Sequence, residues 1–246
     1  MDLSKPKRVD FVWQECTAAM IGDCLARGDV AVIGGLELVD ERHVPWADGF
    51  YKTDEQPSTV TEHLGFTAFM SPSVEGAWMP IPPSVIAISV GASALQPVEW
   101  VFVSAASLWR ALKQRFHEAE LVPFLDGVAI GSRAGGVQVY HPGYQCWQSK
   151  QGRRISCRFS GRLDHDVRPH PMAQPVFDFC REFVLDDRNQ LCLSLDPGQT
   201  AMIANSLFCS ARRAGQTPNE TIVWLMQTSP NEGLYGFLED MLNDSM

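Results

Sequence analysis

The most polar ten residues of the chain run from Gly161 to His170 and hold two His, two Asp and two Arg. An aspartate beside His165 could orient its imidazole as a general base. Asp164, His165 and Asp166 could equally supply hard ligands to a metal ion. The same composition suits a solvated loop between two elements, and the sequence leaves these readings open. The seven cysteines, at 16, 24, 146, 157, 180, 192 and 209, form no CxxC pair. Their odd number and wide spacing argue against a disulfide framework and against a structural zinc site. His141, Tyr144 and Trp147 add polar and aromatic lining to one strand pair, where packing explains them as well as chemistry does.

Any such groups need elements to hold them. Residues 15–27 place Ala19, Met20, Cys24 and Leu25 at helical spacing, with Gly28 as the stop. The apolar run from Asp29 to Gly35 predicts a buried strand. Residues 40–62 are polar, contain Pro45 and Pro57, and read as a long loop or a short helix plus loop. Residues 63–70 suggest a strand, a proline-studded stretch follows, and Val85–Val90 is a strong strand. A second helix is predicted over 104–118, with Ser104 or Ser107 as N-cap and Leu108, Leu112 and Phe116 on one face. Short strands follow at 127–130, 136–141 and 153–160. A third helix covers Pro171–Phe183, and strands are expected at 190–195, 200–204 and 221–227, with a turn at Asp196-Pro197-Gly198. Many short strands with a few helices suggest a β-sandwich or jelly roll with helical buttresses.

Composition sets the outer bounds. The chain has 246 residues, 45% apolar and 20% charged, which is a globular composition in the size range of one large β domain. A net charge of −9, with scattered basic residues, disfavours a nucleic-acid or anionic-membrane surface. The opening residues lack the apolar run of a signal peptide, and no stretch approaches the roughly 18–20 apolar residues of a membrane span. The expected setting is the reducing cytoplasm.

Four segments, taken in order, carry a resemblance. The first is ECTAAMIGDCLARGDVAVIGG at residues 15–35. The second is His63-Leu64-Gly65-Phe66, followed by Phe69, a Pro-rich stretch, a strand and a helix. The third is Leu195-Asp196-Pro197-Gly198-Gln199. The fourth runs from Ile203 through Asn205 and Ser210 to Arg212. Over residues 15–228 this order resembles the Fe(II)/2-oxoglutarate oxygenases of the taurine dioxygenase and clavaminate synthase group. Those proteins open with a helix, Gly and apolar strand, then show His-x-Asp or His-x-Glu, Leu-x-Pro-Gly-Asp and Asp-Asn-x-x-x-x-His-x-Arg. The resemblance implies a mainly β fold with flanking helices, a double-stranded β-helix (jelly roll) of the 2-oxoglutarate oxygenase type, forming a single domain over 1–246.

At the chemistry the chain departs from that pattern. His63 keeps the first imidazole of the family's iron site, but Gly65 stands where the carboxylate belongs and Ser210 where the second imidazole belongs. The arginine that clamps 2-oxoglutarate should fall near Val223 or Gln227, and no Arg follows Arg213. A lone imidazole and a protonated hydroxyl hold Fe(II) poorly, and Gln227 offers only neutral hydrogen bonds. His-x-Gly is similar to the family's halogenases, yet those retain the second His and the Arg. Cys209 would suit zinc or copper beside His63, but adjacent strand residues face opposite sides, so Cys209 and Ser210 cannot both face the barrel.

The resemblance therefore points to a degenerate facial triad and to a small-molecule biosynthetic enzyme, natural-product or amino-acid-derived, with no cofactor. His63 and Ser210 are its candidate catalytic residues, as base and nucleophile, and Arg212, Asn205 and Gly65 its candidate substrate-binding residues. Metal-independent elimination, cyclisation or hydrolysis of a carboxylate-bearing small molecule is the expected chemistry, in a cytoplasmic protein compatible with a homodimer. Two alternatives stay open: an oxygenase or halogenase using Fe(II) and 2-oxoglutarate through a non-standard ligand set, and a non-catalytic partner subunit.

Overall fold

The apolar, β-branched runs seen in the sequence pair into two facing sheets. These belong to a computed structural model that describes residues 6–36, 50–52, 72, 85–126, 130–134, 137–141, 144–149, 152–157, 159, 169–212 and 221–226. In chain order its strands are β1 (Arg8–Val12), β2 (Val30–Gly34), β3 (Phe50–Lys52), β4 (Val85–Val90), β5 (Val98–Ser104), β6 (Ile130–Ala134), β7 (Val137–His141), β8 (Tyr144–Ser149), β9 (Gly152–Cys157), β10 (Gln190–Leu195), β11 (Gln199–Ala204), β12 (Phe208–Arg212) and β13 (Thr221–Met226). The α-helices are α1 (Ala18–Ala26), α2 (Ala105–Arg115), α3 (Glu118–Asp126) and α4 (Gln174–Leu185).

The larger sheet has the order β1-β2-β11-β4-β13-β3, and the smaller has β10-β5-β12. β6 pairs with β7 and β8 with β9 as separate antiparallel ladders. The chain alternates between the sheets. It passes from β4 in the larger to β5 in the smaller, from β10 back to β11, and from β11 to β12 and on to β13. That alternation is the winding expected of a double-stranded β-helix, and the protein is mainly β with flanking helices, as the sequence predicts.

Strand alternation sorts the core into layers. Val30, Val32, Ile86, Ile88, Ala201 and Ile203 from the larger sheet meet Val98, Trp100, Phe102, Leu193, Leu195 and Phe208 from the smaller. On the outer side of the larger sheet, Ala31, Ile33, Ala87 and Met202 pack against Ile21, Cys24 and Leu25 of α1. On the outer side of the smaller sheet, Val103 and Cys209 pack with Leu108 and Leu112 of α2 and with Val176, Phe177 and Cys180 of α4. The result is four layers, helix, sheet, sheet and helices.

Helix ends follow their local chemistry. Thr17 caps α1 by accepting from the Met20 amide at 3.3 Å. Gly28 ends it at φ +74, a left-handed conformation that favours glycine. Ser104, of the two predicted caps, is the one that caps α2, accepting from the Ser107 amide at 3.3 Å.

The structure corrects several element boundaries. Residues 98–104 form β5, the central strand of the smaller sheet, which the sequence reading overlooked because it enters α2 with no Gly or Pro between. The predicted 104–118 helix breaks at Phe116, whose backbone is extended. α3 then begins with the His117 amide donating to the Glu120 carboxylate at 2.7 Å, half of a capping box. β1, β3 and β8 are further strands that the sequence reading left out or placed in loops. The strand expected at 63–70 lies outside the described residues.

Candidate functional site

The fourth motif places its residues on two elements. Asn205 opens the 3-10 turn Asn205–Leu207, at the corner where the chain leaves β11 for β12, and it is fully buried there. β12 then runs antiparallel to β5, with Phe208 registered opposite Ser104, Ser210 opposite Phe102, and Arg212 opposite Trp100. Across β5, β10 registers Leu191 opposite Phe102 and Leu193 opposite Trp100.

Alternation along β12 decides which residues meet the interior. Phe208 belongs to the core between the sheets and Cys209 to the core beneath the helices. Ser210 accordingly shares the inner face with Phe208 and with its partner Phe102. Its side chain is 2% exposed, and among the described residues its hydroxyl has no hydrogen-bond partner. A buried polar group in that state costs roughly 1–3 kcal/mol, and the large majority of buried side-chain polar atoms in folded proteins are paired. Trp100 stands on the same face. It is 3% exposed, and its indole Nε1 is likewise buried with no hydrogen-bond partner among the described residues. Trp100 was not singled out from the sequence; the missed strand β5 carries it.

Cys209 is fully buried among Leu108, Leu112 and Cys180 on the helix side. The expectation that Cys209 and Ser210 face opposite ways is met, and the thiol is not offered to the interior. β12 presents the Ser210 hydroxyl inward, with Phe102 and Phe208 on the same face. Among the described residues, no three His, Cys, Asp or Glu side chains come together as a metal site. His63 and Gly65 lie outside the described residues, as does Gln227, so the first imidazole is not placed. Val223 in β13 is registered opposite Ile88 of β4.

The third motif proves to be a structural turn. Gln199 folds back so that its side-chain oxygen accepts from the Asp196 amide at 2.9 Å. Gly198, at φ +77, donates to the Val90 carbonyl at 3.0 Å and accepts from the Gly35 amide at 3.1 Å. The turn thereby fixes the start of β11, and through it Asn205 and β12. The polar stretch is mostly outside the described residues. Its last member, His170, is exposed, and its Nδ1 accepts from the Met172 amide at 3.2 Å, capping the short 3-10 turn ahead of α4. That assigns His170 a structural task.

No protein-family model and no curated protein sequence matches the chain. Solved structures do. PvcB, an Fe, alpha-ketoglutarate dependent oxygenase from an isonitrile synthetic pathway, is similar at a TM-score of 0.61 and 11% identity, over 92% of this chain and 87% of that one. AAD-2, solved in complex with Mn(II) and N-oxalylglycine, is similar at 0.56 and 14%, over 95% and 92%. A taurine dioxygenase from Burkholderia xenovorans is similar at 0.51 and 15%, over 84% and 78%. With strands alternating between two sheets and likenesses that span most of each chain, this protein has the fold of the taurine dioxygenase-like Fe(II)/2-oxoglutarate oxygenases.

Proposed function

We propose that the chain is a small-molecule biosynthetic enzyme that uses the interior of an oxygenase-type jelly roll without iron chemistry. Its reaction is a metal-independent elimination, cyclisation or hydrolysis. The observation that carries this reading is Ser210. At the position where the resemblance requires a metal-binding imidazole, the inner face of β12 carries a buried hydroxyl with no partner among the described residues, beside Phe102 and Phe208. Such a group binds substrate or moves a proton far better than it binds Fe(II).

In this proposal His63 supplies the base and Ser210 the hydroxyl that it acts on. Arg212 engages a substrate carboxylate, and Gly65 and Asn205 shape the pocket around it. A serine is activated for nucleophilic attack only when a base lies within hydrogen-bond reach, so the two residues stand or fall together. The fold itself favours a second reading, an oxygenase or halogenase with a non-standard ligand set, since AAD-2 was solved with Mn(II) and N-oxalylglycine.

One experiment separates the two readings. Anaerobic titration of the purified protein with Fe(II) and 2-oxoglutarate should give no metal-to-ligand charge-transfer band. Admission of oxygen should then give no succinate. A saturable band at one iron per chain, with succinate formed in turnover, would overturn the metal-independent reading in favour of the second.

A further inference from the structure

β1 stands at the edge of the larger sheet, and among the described residues β2 is its sole strand neighbour. The bonds at its two ends show which main-chain groups that pairing uses. The Val30 amide donates to the Lys7 carbonyl at 2.9 Å, and the Trp13 amide to the Gly34 carbonyl at 3.0 Å. Odd-numbered residues of β1 thus turn their amides and carbonyls to β2, and Arg8, Asp10 and Val12 turn theirs away from the sheet. The Val12 carbonyl is occupied there, by the Glu15 and Cys16 amides at 2.9 and 3.0 Å. No described residue bonds the outward main-chain groups of Arg8 and Asp10. The Asp10 side chain is 62% exposed and Val12 50%, so this side of the strand meets solvent. Val9 and Phe11 turn their side chains to the core under α1, which leaves Arg8 and Asp10 together on the other face. Arg8 Nε donates to Asp10 Oδ1 at 2.7 Å, and a second guanidinium nitrogen donates to the Ser194 carbonyl. Those contacts use side chains of β1 and leave its outward main chain open.

We infer that β1 is a self-association edge, along which two copies of the chain pair antiparallel about a twofold axis at Val9. In that register Arg8 lies opposite the partner's Asp10, and Asp10 opposite the partner's Arg8. All four residues have outward main-chain groups, so each pair exchanges two hydrogen bonds. The facing side chains carry opposite charges across about 5.5 Å of backbone separation. An axis at Arg8 or at Asp10 would instead set like charges opposite each other, which destabilises a strand pair. Pro6, which has no N–H, falls opposite the partner's Val12, whose carbonyl is already occupied. Charges along an edge ordinarily deter pairing. Here they alternate in sign and match in one register, which admits this chain itself as the partner. A contact of one short strand falls in the class below about 1,200 Å², so the dimer is weak and concentration-dependent.

Sedimentation velocity on the full chain tests this. At low salt, a series from about 5 to 500 μM should pass from monomer to dimer, the behaviour of a small transient interface. Asp10→Arg should weaken association about tenfold or more, since both cross-strand pairs turn from attraction to repulsion. Arg8→Asp should do the same. The double variant Arg8→Asp/Asp10→Arg restores opposite charges in the same register and should recover the dimer, with circular dichroism showing each variant folded. Amide hydrogen exchange on the unaltered chain gives an independent reading. The Arg8 and Asp10 amides should slow severalfold at the top of the concentration series, while those of Val9 and Phe11, bonded to β2, stay as they are. A monomer throughout, a dimer that Asp10→Arg leaves intact, or exchange at Arg8 and Asp10 that ignores concentration overturns the assignment. A folded double variant that stays monomeric overturns the register.

Discussion

At the scale of single residues, burial rather than spacing decides what a side chain can do. The spacing of the seven cysteines argues against a disulfide framework and a zinc site, and Cys24, Cys180 and Cys209 are fully buried core residues, whereas Cys192 is exposed. Burial pushes the Cys24 thiol up to about 12, with Asp29 adding to the rise and Arg27 opposing it. An unfolded cysteine here titrates near 9.0. The folded chain holds Cys24 neutral, so its contribution to stability is whole below that pH and is lost as pH climbs towards 12. Only a thiolate attacks an alkylating reagent. Iodoacetamide at about pH 8 should therefore label Cys192 in the native protein and spare Cys24, Cys180 and Cys209 until denaturant is added. Peptide mass spectrometry reads the order, and labelling of Cys24 at the rate of Cys192 would contradict it. Strand alternation already told from the sequence that Cys209 and Ser210 part company. Which of the two faces inward needed the partner strand, because a five-residue strand carries its parity but not its neighbours. Trp100 was illegible for the same reason: only the pairing of β5 with β12 places it near Ser210.

At the scale of elements, the sequence was readable wherever an element is apolar throughout and punctuated at its ends. β2, β4, β10 and β11 are of that kind, and α1 is bounded by a Thr cap and a glycine stop. β5 was not readable, because Ser104 is both its last residue and the N-cap of α2, so strand and helix merge without punctuation. α3 hid behind Pro123, which sits inside the helix and reads as a breaker. β1 is a half-polar strand whose pairing with β2 is parallel and long-range. One polar contact ties three strands of the larger sheet together. Thr200 of β11 donates its hydroxyl to the Leu36 carbonyl just past β2, at 2.6 Å. Its single hydrogen being spent there, it accepts from Ser89 of β4 at 3.0 Å. All of this is buried. Thr200→Val keeps the shape and strips the Leu36 carbonyl and the Ser89 hydroxyl of that partner, so chemical denaturation should show a loss of about 1–3 kcal/mol. Thr200→Ser keeps the hydroxyl and loses one methyl, and should cost about 1 kcal/mol or less. Equal losses in the two variants would show that the methyl, not the hydroxyl, matters.

At the scale of the molecule, the layers share strands and so must share their fate. β11 sends Ala201 and Ile203 to the core between the sheets and Met202 to the core under α1. β12 sends Phe208 to the former and Cys209 to the helix-side core. At the sheet edges, Arg8 of β1 donates to the Ser194 carbonyl of β10 at 3.0 Å, joining the larger sheet to the smaller. An exposed edge strand invites pairing with another chain. Melting any layer exposes a face of a strand that another layer needs, which is the condition for cooperative unfolding. The molecule carries its own reporters. Trp13 packs in the α1 layer, Trp100 between the sheets, and Trp109 against the helix-side core. With 5-fluorotryptophan incorporated, and each fluorine signal assigned by a Trp→Phe variant, the three native signals should fade together through a urea titration. The single domain expected over 1–246 requires that coincidence. A Trp109 signal that persists after Trp13 has gone would show the helix-side and α1 layers to be separate folding units, and would divide the chain where the sequence showed no linker.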